Sequence, residues 1–185
     1  MDGHFALSTH KGRNKMSNFD AASYNRQGKM YFACNQANKA TTALSTTATG
    51  LILYNPFGSG KKLLVVDARF AFSAVPTAAG AVMLSMGNTP SVAATPSGTA
   101  DVIWRADGSG VATTQVARVF TIATTNVVNV YVCPLSVASS TSASADLSKL
   151  PEGGLIVVPG NYIMFSHVTT VATGIGSFLW VEVPE

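Results

Sequence analysis

Short apolar runs separated by clusters of Gly, Pro, Asn and Ser recur from about residue 30 to the end of the chain. Runs of this length, rich in β-branched and aromatic residues, are typical of strands. No long segment shows a convincing helical period. The pattern therefore predicts an all-β chain with strands at residues 30–36, 49–55, 62–75, 80–86, 101–105, 114–123, 127–133, 154–158, 161–169 and 175–183.

The alternation of apolar and polar residues is clearest over residues 63–74. The even-numbered positions of this run are all apolar, whereas the odd-numbered positions include Asp67 and Arg69. A period of two with charges on one face indicates a half-buried antiparallel strand. We therefore expect Phe70 and Phe72 to face the core, and the two charged side chains to face outwards.

The connections between the predicted strands indicate a sandwich or a barrel. We expect an antiparallel β-sandwich, with the jelly roll as the favoured topology, because long loops at 87–100 and 134–150 suit strands that cross between two sheets. Pro followed by Gly within Val158–Asn161 is typical of a type II turn. Gly174–Gly176 is also interpreted as a turn.

The composition fits one folded domain and excludes disorder of the whole chain. Of the 185 residues, 11% are charged and 47% are hydrophobic, whereas disorder requires low hydrophobicity and high net charge. The length suits a single domain. We place a β-sandwich domain at 30–185 and an extended N-terminal arm at 1–29, where the sequence is polar and has no sustained period.

The positive charge is concentrated near the N-terminus. Residues 1–39 hold six Lys or Arg against two Asp, whereas the remainder holds six against seven acidic residues. A body with so little charge is weakly protected against association, which indicates a surface covered by copies of itself or by a partner. The arm is expected to contact that partner through Phe5, Leu7, Phe19 and Tyr24 as apolar anchors and through Lys11, Arg13 and Lys15 as charges.

The basic arm also has a nucleic-acid interpretation. Lys11, Arg13 and Lys15 occupy alternate positions, so an extended chain would present them on one side. However, four net charges would neutralise only a few phosphates and give weak, salt-sensitive binding. Contact with a neighbouring protein also accounts for the apolar anchors, and we expect no nucleic-acid partner.

Export, membrane insertion and disulfide bonding are not expected. The N-terminal residues contain no apolar signal-peptide core, and no apolar stretch is long enough to span a bilayer. We therefore expect the chain to be made in a cytosol and to stay soluble there. Cys34 and Cys133 each lie within an apolar run and are predicted to be buried free thiols.

The chain offers little for catalysis or for cofactor binding. Gly58–Lys62 is rich in Gly and Lys but lacks the spacing of a phosphate-binding loop, and a predicted strand follows it instead of a helix. We interpret it as a hairpin loop. A glycosidase pair could be chosen from Asp67, Asp101, Asp107 and Glu152, but no feature of the sequence supports one.

The three histidines, His4, His10 and His167, do not show metal-ligand spacing. His167 is interpreted as a surface or satisfied histidine. Trp104 and Trp180 could stack against sugars, although a core position is preferred for one of them. We expect no metal, no cofactor and no enzymatic activity.

Two parts of the chain resemble virion structural proteins of tailed bacteriophages. The first part contains Ala33–Ala37, Thr49–Pro56 and Ser59–Lys61, and the second contains Val157–Tyr162, Gly176–Phe178 and Trp180–Glu182. The resemblance covers residues 33–86 and 154–183. It implies a β-sandwich displayed on a phage particle, in the manner of head decoration (cement) proteins, which are commonly trimeric and have no catalytic residues to transfer.

Three functions follow from these observations. The first is a capsid decoration protein on the particle surface that binds the major capsid protein, or another shell protein, and forms a homotrimer. The second is a tail, head-fibre or host-recognition module that could bind carbohydrate. The third is a small self-assembling jelly-roll coat protein whose basic arm binds RNA.

Overall fold

Twelve strands and one helix are present in the residues that the computed structural model describes, which are 21–36, 39–41, 50–74, 80–88, 97–124, 130–138, 150, 154–168 and 172–185. Each predicted strand has a counterpart; β2 and β6 were not predicted. The elements are α1 (Ala21–Arg26), β1 (Met30–Cys34), β2 (Lys39–Thr41), β3 (Leu51–Tyr54), β4 (Lys61–Phe72), β5 (Gly80–Asn88), β6 (Ser97–Ala100), β7 (Ile103–Arg105), β8 (Arg118–Thr124), β9 (Val130–Ala138), β10 (Leu155–Val157), β11 (Asn161–His167) and β12 (Ala172–Pro184).

The strands form two antiparallel sheets that pack against each other, so the predicted β-sandwich is confirmed. Sheet A has the strand order β10-β4-β12-β1-β7, with β2 also paired to β12. Sheet B has the order β6-β8-β3-β11-β5-β9. The finer assignment to a jelly roll stays a prediction. The loops expected at 87–100 and 134–150 are shorter than predicted, because β6 lies in the first and β9 continues into the second.

The main hydrophobic core lies between the sheets, and both sheets contribute to it. Its largest fully buried side chains include Trp180 and Phe178 from sheet A and Phe165 and Leu53 from sheet B. A second, smaller cluster lies on the opposite face of sheet B, because neighbouring residues of a strand point to opposite faces. Its buried members are Ile52, Tyr54, Tyr162 and Met164.

Strand β4 changes its inward-facing parity at Val66. The register with β12 skips this residue, which is therefore the extra residue of a β-bulge. Before the bulge, Leu63 and Val65 are fully buried; after it, Ala68 is buried. The prediction that the even-numbered positions face the core along the whole strand was therefore wrong for its first part.

In the second part of β4, the side chains face the directions that the sequence predicted. Phe70 and Phe72 are half-buried and pack against the main core, with their rings in an edge-to-face contact. Asp67 and Arg69 face outwards and form an ion pair, with 2.7 Å between Nε and Oδ2 and with side chains 36% and 72% exposed.

The described part of the predicted arm is partly helical. Ala21–Arg26 forms α1, where the sequence predicted extended chain; the helix is six residues long and contains no buried residue, so it has no apolar period to detect. The following residues are tied to the sandwich, since the Gly28 carbonyl accepts a hydrogen bond from Arg105 Nη2 and the Lys29 carbonyl accepts one from the Glu182 amide.

Gly174 and Gly176 lie within strand β12, so the predicted turn at 174–176 was wrong. Without side chains, they let neighbouring groups come close to the backbone of β12. A Cβ atom on Gly176 would lie 2.5 Å from the Phe165 ring of the opposite sheet, and one on Gly174 would collide with the Ala71 carbonyl. These glycines admit neighbouring groups that a side chain would displace.

The type II turn predicted between β10 and β11 is confirmed. The Asn161 amide donates to the Val158 carbonyl at 3.0 Å, and Gly160 has a φ of 85°. Asn55, which follows β3, joins this turn to the next loop. Its backbone amide donates to the Asn161 carbonyl, and its side-chain Nδ2 donates to the Lys61 and Val157 carbonyls at 2.8 Å each.

Candidate interaction surface

Four apolar side chains form a row across the outer face of sheet A. Trp104 lies opposite Val111 on one side and opposite Phe32 on the other, and Phe32 in turn lies opposite Leu179. Residues directly opposite each other in antiparallel strands share a face, with Cβ atoms about 4.5–5.5 Å apart. We call Val111, Trp104, Phe32 and Leu179 the apolar row.

The apolar row is accessible to solvent. Val111 is 52% exposed, Phe32 is 39% exposed and Trp104 is 38% exposed; Leu179 is half-buried. Single exposed apolar side chains are ordinary on protein surfaces, whereas adjacent ones on a rigid face indicate a binding surface. The apolar row is therefore the strongest candidate for a functional surface in the described part of the chain.

The strands position the row by simple alternation. Tyr31, Ala33 and Ile103 have the opposite parity to the row in β1 and β7, and they are buried in the main core. Because these residues point inwards, Phe32 and Trp104 must point outwards.

The hairpin that carries Trp104 and Val111 is held by its own loop. The Arg105 amide donates to the Gly110 carbonyl at 3.0 Å. Within the loop, Asp107 Oδ1 accepts hydrogen bonds from the Ser109 amide at 2.9 Å and from its hydroxyl at 2.6 Å. These bonds lower the pKa of Asp107, and they hold the edge of the row in place.

Polar groups border the row on one side. Asp67 lies opposite Leu179, and Arg69 lies opposite Ser177 in the neighbouring row of the same face. Cys34 also lies opposite Ser177. Both cysteines are free, as predicted, but they are half-buried and not fully buried.

Burial affects both thiols in the same direction. It raises the pKa of Cys34, where the charge of Asp101 adds to the effect, and it raises the pKa of Cys133. Raised pKa values disfavour the thiolate, which is the nucleophilic form of cysteine. The two thiols are therefore poorly suited to nucleophilic chemistry.

Glu182 closes one end of the sandwich with a buried carboxylate. Its Oε1 accepts hydrogen bonds from the amides of Val116 at 2.8 Å and Ala117 at 3.0 Å. Its Oε2 accepts a hydrogen bond from Lys61 Nζ at 3.0 Å. Because the side chain takes these amides, β8 begins only at Arg118, later than the sequence predicted. The Glu182 cluster has a structural role, since its hydrogen bonds join β12 to the start of β4 and to the segment before β8.

The same cluster explains the Gly- and Lys-rich segment at 58–62. Gly58 and Gly60 have φ values of 68° and 62°, which suit a loop, and β4 begins at Lys61. The segment is a loop, but the predicted hairpin was wrong, because β3 belongs to sheet B and β4 to sheet A and the two strands do not pair. Lys61 is bonded to Glu182, and a strand follows it where a phosphate-binding loop requires the N-terminus of a helix.

The remaining candidate residues are not assembled into a site. Asp101 accepts a hydrogen bond from the Thr121 hydroxyl, Asp67 is paired with Arg69, and Asp107 is bonded to Ser109. Glu152 lies outside the described residues. Asp101, Asp67 and Asp107 thus each have a local structural partner.

His167 is fully buried at the end of β11, so of the two predicted alternatives, a surface or a satisfied histidine, the surface one was wrong. Burial lowers the pKa of its imidazole. His4 and His10 lie outside the described residues. Within the described ranges, no three His, Cys, Asp or Glu side chains form a group that could hold a metal ion, and no helix is long and apolar enough to cross a membrane.

Most of the predicted arm contacts cannot be placed. Phe5, Leu7, Lys11, Arg13, Lys15 and Phe19 lie outside the described residues. Tyr24 lies in α1, where it is half-buried and its carbonyl accepts a hydrogen bond from the Lys29 amide at 3.0 Å. Of the predicted contact residues, the described ranges therefore contain Tyr24 alone.

Sequence reasoning also missed most of the apolar row. Trp104 was considered as a sugar-stacking residue, and Trp180 proves to be the tryptophan in the core. Phe32, Val111 and Leu179 were not singled out, because they lie in apolar segments that give no indication of which face is covered.

Comparison with known proteins gives no relative for this chain: no family model, no curated protein and no solved structure matches it. Its fold and its surface are therefore the basis for a functional proposal.

Proposed function

We propose that this protein is a structural protein of a virus particle, a capsid decoration protein that binds the shell and stabilises it by contacts between subunits. The observation that carries the proposal is the apolar row, an exposed apolar surface on a rigid sheet. The bacteriophage resemblance of residues 33–86 and 154–183 supports the same class of protein.

The mechanism is mechanical. A decoration protein that binds only the assembled shell stabilises it by mass action, in the way that a ligand stabilises the state that it binds. Many copies on one particle add their modest affinities through multivalency. A β-sandwich suits this role, because its outer faces are held by two sheets and a packed core.

The low charge of the body supports contact with proteins. Residues 40–185 carry six basic against seven acidic residues, and the described ion pairs Lys61–Glu182, Asp67–Arg69 and Arg105–Asp107 involve six of these thirteen. Such a surface gives little electrostatic repulsion between closely spaced copies.

The arm supplies a second contact in this proposal. Its described end is fixed to the sandwich through Gly28 and Lys29. Phe5, Leu7, Phe19 and Tyr24 would contribute apolar contacts to the shell or to a neighbouring copy. Lys11, Arg13 and Lys15 would add mainly to the rate of association and to its salt dependence.

Co-sedimentation of the full chain with shell particles of the same virus tests the proposal. We expect saturable binding that Phe32→Ser weakens at least tenfold. Val168→Ser is the matched control, since Val168 is 42% exposed but follows β11 in sheet B. Deleting residues 1–20 should also weaken binding while leaving the melting temperature of the body unchanged. No binding by the full chain, or equal binding by Phe32→Ser, would contradict the proposal.

A further inference from the structure

The apolar row has a composition that favours a protein partner over a sugar. Val111 and Leu179, which flank Trp104 and Phe32 in the row, cannot form side-chain hydrogen bonds with a sugar. Beside Trp104, the charged residues Arg105 and Asp107 of the hairpin face each other at 3.8 Å, and Asp107 is also bonded to Ser109. Along the row itself, the first charged residue is Asp67, three strands from Trp104 and thus about 14 Å away. Carbohydrate sites place polar groups around the ring that stacks on the aromatic side chain, and this row does not.

The charges beside the row are self-complementary. Asp67 and Arg69 are both on the outer face, exposed and of opposite sign. A second copy that approaches this face brings the same pair, so each charge can meet its opposite. A partner whose surface is strongly positive or strongly negative would instead be attracted by one of the two side chains and repelled by the other.

The face suits a small interface. Its strands β10, β4, β12, β1 and β7 have 3, 12, 13, 5 and 3 residues, which at about 3.3 Å per residue and about 4.8 Å between strands cover about 570 Å². This area is below the roughly 800 Å² that each partner contributes to a standard protein interface, in the range of weaker complexes. Trp104 lies on the edge strand β7 and Phe32 on the next strand, β1, and aromatic side chains are typical of interface hot spots.

We propose that a second copy of this chain docks on the outer face of sheet A, with the apolar row inside the contact. This inference rests on the proposed function, because it names the partner of the surface on which that function depends. It assigns the row to assembly between copies, so that mutations in the row weaken attachment to the shell through loss of multivalency.

Light scattering after size exclusion tests the inference on the purified full chain without particles. We expect a mass of at least twice the 19.2 kDa of one chain. The double variant Phe32→Ser, Trp104→Ser should have the mass of one chain with an unchanged circular dichroism spectrum, because both side chains are exposed. Val168→Ser should keep the mass of the wild type.

Fluorescence quenching provides a second measurement on the unmodified protein. Trp104 is exposed and Trp180 is fully buried, so acrylamide quenching reports mainly on Trp104. We expect quenching to decrease as the protein concentration rises through the range in which the mass increases. Quenching that is constant across that range would place the contact elsewhere and overturn the inference.

These outcomes separate the inference from the proposed function. A wild-type monomer that binds particles through Phe32 would overturn the inference and keep the decoration function, with the shell as the direct partner. An oligomer that depends on the row but does not bind particles would support the inference and contradict the function. Binding of a soluble oligosaccharide that quenches Trp104 in a monomer would overturn both.

Discussion

Phe165 and Phe178 stack across the sandwich, with ring centroids 4.6 Å apart and ring planes within 15° of parallel. Phe165 belongs to β11 of sheet B and Phe178 to β12 of sheet A, so this contact joins the two sheets directly. Both rings are fully buried. Aromatic pairs of this kind contribute beyond the area that they bury, typically by about 0.5–1.5 kcal/mol.

Replacing Phe178 with Ala should be strongly destabilising. The change removes a buried ring and leaves a cavity against Phe165, so we expect the free energy of unfolding to fall by about 3–5 kcal/mol. Urea denaturation measures this loss. Phe72→Ala is the control, since Phe72 is only half-buried, and it should cost clearly less. Equal costs would contradict the assignment of the core to the space between the sheets.

Replacing Gly176 with Ala should destabilise the protein by crowding. The new Cβ would lie 2.5 Å from Phe165 Cε2, and overpacking of a core typically costs about 1–3 kcal/mol. The loss should be smaller when Phe165 is also changed to Leu, which a double-mutant cycle over the two positions measures. If the effects of the two substitutions were additive, the Phe165 ring would not be what excludes a side chain at position 176.

Glu182→Gln should weaken the closed end of the sandwich. The amide keeps one acceptor oxygen, but it removes the charge that faces Lys61 and the strong hydrogen bonds of a carboxylate. We expect a loss of about 1–3 kcal/mol in the free energy of unfolding. Lys61→Met should cost less, because the carboxylate keeps its bonds to the amides of Val116 and Ala117. A larger cost for Lys61→Met would assign the stability to the ion pair instead.

Stability should decrease as the pH falls below the ordinary pKa of histidine. Burial lowers the pKa of His167 in the folded state, so the unfolded chain takes up the proton first. The stabilisation is complete above about pH 6.5 and is lost as the pH falls from there towards the lower folded-state pKa. The loss is at most about 1.4 kcal/mol per pH unit.

Unfolding by urea between about pH 7.5 and pH 5.5 measures this dependence, in a range above the ordinary pKa values of carboxylates. His167→Gln should flatten the dependence, whereas the control His10→Gln should keep it. A slope that survives His167→Gln would require another titrating group.

The alternation of apolar and polar residues predicted where the strands lie, and the turn chemistry predicted several of the connections. The alternation could not predict the bulge at Val66. All four residues of Leu63–Val66 are apolar, so either register of the strand would bury apolar side chains. Gly174 and Gly176 were misinterpreted for a related reason. Their role depends on neighbours that are close only in the folded protein, the Phe165 ring and the Ala71 carbonyl.

The surface was less predictable than the fold. Phe32 and Trp104 belong to strands whose opposite faces also carry apolar residues such as Tyr31 and Ile103. A sequence with apolar residues on both faces of a strand does not show which face another layer covers. The helix α1 was missed because six residues are too few to display a helical period.

The bulge at Val66 makes the effect of a deletion in β4 depend on where it falls. Side chains alternate strictly along a strand, so deleting one residue of a regular stretch exchanges the two faces of everything that follows. Val66 is the exception, because Val65 and Asp67 pair with the consecutive residues Trp180 and Leu179. Without Val66 the strand would alternate regularly, so Ala68 would stay inward and Asp67 outward. Deletion of Val66 should therefore be tolerated where deletion of Ala68 is not, since the latter makes Asp67 and Arg69 neighbours and turns one of the two charges into the core.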